Sequence, residues 1–428
     1  MFRPCSTLLA TCVALWSMPS AAFTNRAIRA ALTSRRFAPT MATKATEAAQ
    51  QAAIAKIVPC DAASLKECGA RLRDGELVAF PTETVYGLGC NAMDADAITK
   101  VFEAKERPLT DPLIVHVNGR SSAFELWDTT SQARSALDAI CDQFWPGPLT
   151  IVAKAKSDVP PILMANTGFV ACRSPSGDIA RRLIDAARVP LAAPSANKFG
   201  HVSPTKASHV WDDLQNEDVW IVDSDAATSP ESSDVVCNVG VESTVAKVDC
   251  SSECAGRVVL LRQGAVSLQD ISECLQKAGL GNQFHVETKT QKTISDHIAT
   301  VAPGQSIRHY SPDVPSFIVA KDRCDDASEL SQAERSFLST SVIIDFGGIL
   351  KRWEPACVAY RDLSAGGDSA QAAKALFDTL RWTERVEGAQ RVLFPEIVED
   401  PTANDALVLT LKDKLTRAAS GTRIDSLR

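Results

Sequence analysis

Residues 78–92 read VAFPTETVYGLGCNA and pass from an apolar run, through threonines and a glutamate, into glycines. Gly87, Gly89 and Ala92 fit the pattern G-x-G-x-x-A, which in dinucleotide-binding domains opens a helix whose free N–H groups meet a pyrophosphate. Here the helical pattern begins only near Asp94, and polar residues precede the glycines, whereas a buried parallel strand stays apolar up to its turn. The alternative is a site for a small polar substrate and a nucleotide of another kind, with the glycines forming a turn.

The composition is that of a globular protein with more than one domain. The chain has 428 residues, of which 45% are hydrophobic and 23% charged, and its formal net charge is −7. The first 46 residues contain no Asp or Glu, so the rest of the chain is more acidic than the whole. A general nucleic-acid binder draws its affinity from excess cations that meet phosphates, and the acidic body argues against that class.

The N-terminal segment has the composition of a targeting leader. Residues 8–18 form an apolar run too short to span a bilayer of about 30 Å, and small residues precede Phe23, as at a signal-peptide cleavage site. Residues 23–40 are rich in Arg, Ala, Ser and Thr and lack acids, as transit peptides do. Together they resemble the bipartite leader of proteins imported into complex plastids, which predicts a leader over 1–50 and a plastid location. A mitochondrial presequence is the alternative, and a start at Met41 would give a leaderless cytoplasmic product.

Cysteine spacing gives no sign of a disulfide framework or a metal site. The 13 cysteines are scattered, and an odd number without regular spacing predicts reduced thiols. Cys250 and Cys254 form the closest pair, but no second pair accompanies them, so we expect no protein-bound metal. Beyond the leader, no stretch is long and apolar enough to span a membrane, and no membrane partner is expected.

Helical and strand patterns alternate along the rest of the chain, and this alternation is typical of an α/β fold. We predict one α/β domain over 55–275. Residues 276–315 lack clear periodicity and are punctuated by Gly and Pro, so they are predicted to form a linker. Apolar runs and two amphipathic helical patterns then predict a second, smaller α/β domain over 316–428.

Basic residues recur at the predicted ends of helices and strands. Lys105 and Arg107 lie at the end of a helical pattern, before a strand that ends near His116, and Arg173 and Arg262 each end an apolar strand. An arginine beside a core needs an anionic partner, and its planar fork binds carboxylates and phosphates in a bidentate manner. The alternatives are a solvated face for the cations and an ordinary core position for His116.

Neutral hydrogen-bonding groups follow other strand patterns. PLAAPSANKFGHVSPT places Ser195, Asn197 and Ser203 after small residues that would let a ligand approach the backbone, and VGVESTVAKV places Ser243 at the start of a strand. No Ser-His-Asp order, Cys-His motif or metal cage accompanies these groups in the sequence. Such a set suits transfer to or from a phosphate by positioning and charge rather than by a covalent nucleophile.

The chain resembles the Sua5/YrdC/YwlC family, the threonylcarbamoyl-AMP synthases, in seven blocks that keep the family's order: FPTETVYGLGCNA, FEAKERPLTDPLIVHV, WPGPLTIV, PLAAPSANKFGHVSPT, GVESTV, LRQGAVS and APGQSIRHYSP. The resemblance implies a YrdC-like domain with a twisted open sheet and a concave basic pocket, then the linker and a C-terminal Sua5-type α/β domain. It implies a nucleotidyltransferase that makes threonylcarbamoyl-AMP and pyrophosphate from L-threonine, bicarbonate or CO2, and ATP with Mg2+. The product would pass to a transferase of the Kae1/Qri7/TsaD class for t6A modification of tRNA.

The resemblance also implies roles for individual residues. Lys105 and Arg107 match a basic pair that meets the ATP phosphates and serves catalysis. The expected contacts to L-threonine are Thr84, His116, Arg173, Ala193 and Ser243. Further expected contacts to ATP are Asp111, Ser195, Ser203, Arg262 and Tyr310. Tyr310 lies in the linker, which we expect to act as a lid over the nucleotide.

Two positions depart from the family's pattern. Asp111, in TDPLIVH, stands where the family usually has Asn, and Phe169 stands where it often has Thr. Each departure replaces a neutral contact to ATP. An inactive regulator that uses the same pocket is therefore one alternative to the synthase, and a protein that binds tRNA or double-stranded RNA is another.

Overall fold

The computed structural model describes residues 54–224, 236–250, 256–289, 299–303, 310–326, 328–398 and 404–427. The leader predicted over 1–50 lies outside these ranges. The described residues form two α/β domains, which confirms the predicted fold class. No helix in these ranges is both long and apolar enough to cross a membrane.

The larger domain combines seven helices and eleven strands within the described ranges. The helices are α1 (Ala62–Arg73), α2 (Ala95–Lys105), α3 (Arg120–Leu126), α4 (Ser131–Phe144), α5 (Asp178–Ala187), α6 (Ala207–Leu214) and α7 (Leu268–Lys277). The strands are β1 (Lys56–Pro59), β2 (Leu77–Phe80), β3 (Gly87–Asn91), β4 (Ile114–His116), β5 (Leu149–Lys154), β6 (Phe169–Arg173), β7 (Leu191–Ala192), β8 (Val219–Asp223), β9 (Thr244–Asp249), β10 (Gly256–Arg262) and β11 (Phe284–Thr288). They form one open sheet of mixed direction, in the order β1-β8-β2-β3-β7-β4-β6-β5-β9-β10-β11.

Helix α2 shows how the sequence sets the position of a functional residue. Asp94 caps its first turn and accepts hydrogen bonds from two backbone N–H groups, at 2.9 and 3.2 Å. The apolar face of α2 packs into the core through Ile98 and Phe102. The helix ends at Lys105, and the cap residue Glu106 has a left-handed φ of +54°, after which the chain turns toward the sheet at Arg107.

The glycine-rich stretch forms a strand, and the turn predicted for it is wrong. Gly87–Asn91 is β3, which pairs antiparallel with β2. A Cβ atom on Gly89 would lie 2.7 Å from a ring carbon of Phe80, and the φ of Gly89 is outside the left-handed range. The glycine is therefore needed for close packing within the sheet, and residues 81–86 make the connection between β2 and β3.

The stretch predicted as linker, 276–315, contains regular structure. Strand β11 lies within it and pairs in parallel with β10, so that part of the linker prediction is wrong. The alternating run FHVET carries Phe284 into the core, but its polar neighbours hide the strand pattern. Farther along, Ala302 is fully buried and Pro303 lies beside the sheet at a cleft described below.

The C-terminal domain is a parallel α/β unit. Its strands are β12 (Ser316–Val319), β13 (Ser341–Asp345), β14 (Ala359–Asp362), β15 (Arg391–Pro395) and β16 (Arg423–Ile424), in the order β14-β13-β15-β12-β16. Its helices are α8 (Lys321–Asp325), α9 (Gln332–Leu338), α10 (Ser369–Thr383) and α11 (Ala406–Ala418). The apolar faces of α10 and α11 cover one side of this sheet, as their amphipathic patterns predict.

The two domains share a packed core and several ion pairs. Val85, Val202 and Val241 of the larger domain belong to the same buried cluster as residues of α10 and α11. Buried Arg381 lies 3.2 Å from Asp213, across the domain boundary. The desolvated charge pair fixes α10 next to the larger domain, and the shared apolar cluster holds both α10 and α11 there.

Candidate active site

A cleft with an empty volume of about 560 Å3 lies where several elements of the larger sheet begin or end. Eight of the residues predicted for the site line it: Thr84, Arg107, His116, Arg173, Ala193, Ser195, Ser243 and Arg262. Four others do not, namely Lys105, Asp111, Ser203 and Tyr310. Three guanidinium groups therefore face one cleft, and the arrangement suits an anionic ligand.

Strand pairing explains why His116 and Arg173 meet. Both end parallel strands that are neighbours in the sheet, and the register places His116 directly opposite Arg173. The carboxyl ends of such strands are the usual place for a ligand in α/β sheets. The sequence prediction that the two residues share a site follows from this topology.

Arg173 forms a buried ion pair with Glu83 in the connection between β2 and β3. Its Nη2 lies 2.8 Å from Glu83 Oε1, and its Nη1 donates to Thr84 Oγ1 at 2.9 Å. Burial alone would raise the pKa of Glu83, but the charge of Arg173 lowers it below its ordinary value, so Glu83 is ionised. Within the described ranges, Arg173 Nε has no hydrogen-bond partner, which leaves the guanidinium able to bind a further acceptor.

His116 is buried and neutral. Burial, together with the nearby charge of Arg173, lowers its pKa to about 3, although Glu83 opposes that shift. Its ring meets Phe80 edge-on at a centroid distance of 6.1 Å, and Nδ1 has no hydrogen-bond partner among the described residues. The imidazole can thus offer a hydrogen bond to a substrate without adding charge to the cleft.

Arg107 is fixed by the acid that departs from the family's pattern. Its Nη2 lies 2.9 Å from Asp111 Oδ2 and donates to Pro112 O at 2.9 Å, while its Nε donates to Asp111 O at 3.0 Å. Burial lowers the pKa of Arg107 while Asp111 opposes that shift. The carboxylate of Asp111 thus orients a cleft arginine and does not itself line the cleft.

Arg262 is anchored through Ser243. Its Nε donates to Ser243 O and its Nη2 to Ser243 Oγ, both at 3.0 Å. Ser243 Oγ also lies 2.7 Å from Thr150 Oγ1, so the serine is held between two strands. These bonds fix the plane of the guanidinium at the end of β10.

Lys105 lies behind the cleft wall rather than on it. Its Nζ donates to the backbone carbonyls of Ser195, at 2.6 Å, and Asn197. Burial and the charge of Arg107 lower the pKa of Lys105 well below its ordinary value. The lysine therefore holds the loop that carries Ser195 into the cleft.

Tyr310 is fully buried against the C-terminal domain. Its ring lies 5.3 Å from that of Phe377, between centroids, and Lys414 Nζ donates to its hydroxyl at 3.2 Å. The linker reaches the cleft earlier in the sequence, at Pro303, while Thr300 N donates to Thr110 O at 3.0 Å. Among the linker residues that the structure describes, Pro303 lines the cleft and Tyr310 does not.

Phe169 also lies outside the cleft lining. The Nζ of Lys247 lies 3.6 Å from the centroid of its ring, in a cation–π contact on the neighbouring sheet surface. The ring packs against a buried cluster that includes Ala302 of the linker segment. The aromatic residue at this position therefore contributes to the surface on which the linker rests.

Sequence reasoning missed two acidic residues of the site. Glu83 pairs with Arg173, and Glu242 lines the cleft while it accepts a hydrogen bond from Ser203 Oγ at 2.7 Å. Both lie in segments that resemble the family, PTET and GVEST. In each, a glutamate next to hydroxyl residues and an apolar strand could have indicated a buried acid that needs a partner. No cluster of three or more His, Cys, Asp or Glu side chains suited to a metal ion occurs in the described ranges.

Fold and cleft together define a two-domain α/β protein with a cleft that three arginines line. Residues 70–264 match a family model, Sua5_yciO_yrdC, described as "Telomere recombination". Residues 266–420 match a second model, described as "Threonylcarbamoyl-AMP synthase, C-terminal domain". The two matches follow one another along the chain and together include every residue of the cleft.

Curated relatives and a solved structure agree with these matches. The chain is 32% identical over 369 residues to the threonylcarbamoyl-AMP synthase of Schizosaccharomyces pombe, over 80% of this chain and 85% of that protein. It is 38% identical over 253 residues to that of Bacillus subtilis, over 59% of this chain, and it spans 65% of that relative's length. A crystal structure of P. abyssi Sua5 complexed with L-threonine superposes with a TM-score of 0.69 and 27% identity, over 87% of this chain and 99% of that one. The chain belongs to the Sua5/YrdC family of threonylcarbamoyl-AMP synthases, which confirms the resemblance noted in the sequence.

Proposed function

We propose that the protein is an L-threonylcarbamoyladenylate synthase, which converts L-threonine, bicarbonate or CO2, and ATP into threonylcarbamoyl-AMP and pyrophosphate. The observation that carries the proposal is the placement of Arg107, Arg173 and Arg262 on one cleft beside a neutral histidine. Three fixed cations suit a substrate set that contains a carboxylate and a triphosphate. The names of the relatives and the threonine-bound Sua5 structure support the same reaction.

Arg173 is the proposed anchor for the carboxylate of L-threonine. It is the arginine nearest to His116 in the sheet, and Thr84 Oγ1 and Glu83 fix two of its nitrogens. If the carboxylate of an amino acid binds at the edge of the Arg173 guanidinium that carries Nε, its amino group lies close to the strand ends. Ala193 and Ser243, which also line the cleft, then limit the space around the substrate side chain.

Arg107 and Arg262 are the proposed contacts to the phosphates of ATP, which enters with Mg2+ bound mainly by its own phosphate oxygens. In the first step the threonine amine forms a C–N bond to the carbon of bicarbonate or CO2, which gives a carbamate. Bicarbonate loses water in this step, whereas with CO2 the amine proton passes to solvent. A carbamate oxygen then attacks the α-phosphorus, and the bond to pyrophosphate breaks. Fixed guanidinium groups stabilise the charge that develops in this step without a covalent enzyme intermediate.

Lys105 acts in this proposal through the loop that it holds. By binding the carbonyls of Ser195 and Asn197 it keeps Ser195 at the cleft, where the hydroxyl can reach the nucleotide. The product is a mixed anhydride of the threonylcarbamoyl group and AMP, and water hydrolyses such an anhydride. In this proposal the product passes to a partner enzyme of the Kae1/Qri7/TsaD class, which uses it to modify tRNA to t6A.

The test is release of pyrophosphate from ATP by the purified protein. We expect release only when both L-threonine and bicarbonate are present, and a product with the mass of threonylcarbamoyl-AMP. Arg107→Ala should lose most turnover even at saturating ATP. Binding of ATP without release of pyrophosphate would favour the inactive regulator, and a salt-sensitive tRNA mobility shift in its place would favour the RNA-binding protein.

A further inference from the structure

Lys414 of the C-terminal domain places a buried positive charge next to the wall of the cleft. It lies on α11 and is fully buried. Its Nζ lies 3.3 Å from Glu242 Oε2 and donates to Tyr310 Oη at 3.2 Å, whereas the nearest oxygen of Asp413 is 3.8 Å away. Because Glu242 itself lines the cleft, one side chain separates Lys414 from the ligand site.

Glu242 is a carboxylate in a cleft built for anions, and it needs a compensating charge. Ser203 Oγ donates to its Oε1 at 2.7 Å, and Lys414 faces its Oε2. Burial alone would raise the pKa of Glu242, but the charges of Lys414 and Arg262 lower it below its ordinary value. Oε1 thus has a hydrogen-bond partner and Oε2 an ion-pair partner, and Glu242 remains ionised.

We propose that Lys414 is a positioning residue for nucleotide binding, which fixes Glu242 and offsets the negative charge that Glu242 presents to the phosphates. The inference rests on the proposed function, because it takes ATP as the anion in the cleft. Without Lys414, a carboxylate compensated only by Arg262 would face the triphosphate across a low-dielectric wall, where like charges repel strongly. The C-terminal domain thereby contributes to ATP affinity from behind the cleft lining.

The test measures ATP binding by titration calorimetry, which does not depend on turnover. Lys414→Met keeps most of the length of the side chain and removes its charge, and we expect its ATP dissociation constant to rise about tenfold or more. Adding Glu242→Gln to that variant removes the carboxylate charge and should bring the constant back to within about threefold of the Glu242→Gln protein. Arg385→Met is the matched control, since Arg385 pairs across the same domain boundary with exposed Asp212 at 2.6 Å and should leave ATP affinity unchanged.

A purely structural role for Lys414 predicts a different pattern. The double variant would then bind ATP as weakly as Lys414→Met, or Lys414→Met would bind like the wild type, and either result overturns the proposal. Lys414→Gln, which retains a hydrogen-bond donor, takes the place of Lys414→Met if the latter does not fold, with the same expected rise. In assays of pyrophosphate release, the Michaelis constant for ATP should rise with little change in that for threonine. If the wild-type protein binds ATP but releases no pyrophosphate, the proposed function is refuted. The calorimetric comparison would still test the role of Lys414, because it depends only on ATP binding.

Discussion

Arg107 Nη2 lies 2.9 Å from Asp111 Oδ2, so the acid that stands where the family usually has Asn forms an ion pair with a cleft arginine. Two backbone carbonyls, those of Asp111 and Pro112, accept further hydrogen bonds from the same guanidinium. The carboxylate of Asp111 is therefore paired with Arg107 and helps to orient it on the cleft. An arginine held in this way favours the proposed synthase over an inactive regulator.

Replacing Asp111 by Asn should leave the protein active. The amide oxygen of Asn can still accept from Arg107, and the backbone carbonyls remain, so we expect the Michaelis constant for ATP to stay within about threefold of the wild type. Pyrophosphate release as a function of ATP concentration measures this, with Arg107→Ala as the inactive reference. Loss of turnover in Asp111→Asn would mean that the carboxylate contacts ATP or its metal ion directly.

Removing Arg173 should raise the requirement for threonine far more than that for ATP. Arg173→Ala also leaves Glu83 as an unpaired buried charge, a change that typically costs about 3–5 kcal/mol of stability. The double variant Arg173→Met with Glu83→Gln avoids that unpaired charge, and we expect it to fold better while its threonine requirement stays high. Steady-state kinetics with each substrate varied, together with urea unfolding, separate the two effects.

Arg182→Met is the control for this pair, because Arg182 forms an exposed ion pair with Asp178 at 3.3 Å on α5. It should change neither the kinetics nor the stability by a measurable amount. An unchanged Michaelis constant for threonine in the Arg173 variants would make Arg173 a structural residue.

The pKa of His116, about 3, predicts a loss of stability in mild acid. The unfolded chain binds a proton to this histidine below about pH 6.5, whereas the folded protein does not, so its contribution is complete above that pH and is lost as the pH falls toward 3. Between pH 6.5 and 5 we expect the free energy of unfolding to fall by roughly 2 kcal/mol on this account. Glu83 and Glu242, whose pKa values are lowered, lose their contributions only at lower pH.

Urea unfolding of the wild type and of His116→Asn at pH 6.5 and 5 checks this prediction. The variant should be less sensitive to pH over that interval, since Asn does not titrate. If the free energy of unfolding changes equally with pH in the two proteins, the histidine takes up a proton while the protein is folded. His201 is a second histidine to consider, but a hydrogen bond to Asp213 raises its pKa, so its contribution is lost as the pH rises rather than falls.

The sequence was informative where the partners of a residue follow from local pattern. His116 and Arg173 end short apolar strands, and the tendency of parallel strands to align their ends brings them together. The ends of α1 and α2 were likewise predictable from their caps and periodicity. The residue pattern also indicated Arg107, Ser195, Ser243 and Arg262, whereas Thr84 and Ala193 came from the family resemblance.

Long-range partners were not predictable in this way. Glu242 and Lys414 are far apart in the chain, and only the packing of α11 against the larger domain joins them. The strand β3 was mistaken for a turn because glycine has no side chain to show an alternating pattern, and its use against Phe80 depends on a neighbouring strand. Tyr310 was expected over the nucleotide, but its ring packs against Phe377 and its hydroxyl accepts a hydrogen bond from Lys414, both in the C-terminal domain.

The leader prediction is independent of the described residues. We propose that residues 1–50 direct the protein to a plastid, and we expect a fluorescent fusion of this segment to accumulate there. A variant that lacks residues 1–50 should keep full activity, because the cleft residues all lie beyond it. Replacement of Phe23 should reduce import if the leader is bipartite. Accumulation in mitochondria alone would contradict the plastid location.

The linker joins the cleft to the C-terminal domain, since Pro303 lines the cleft and Tyr310 is buried next to Lys414 and Phe377. A bound nucleotide would add contacts to the segment at Pro303, so we expect ATP with threonine to protect residues 300–315 from proteolysis. Limited proteolysis with mass spectrometry, with and without ligands, measures this.

Tyr310→Phe keeps the buried ring and should retain the product like the wild type. Tyr310→Ala should cost about 3–5 kcal/mol of stability and release the product faster. Equal cleavage with and without ligands, and unchanged release from Tyr310→Ala, would make the linker a passive tether.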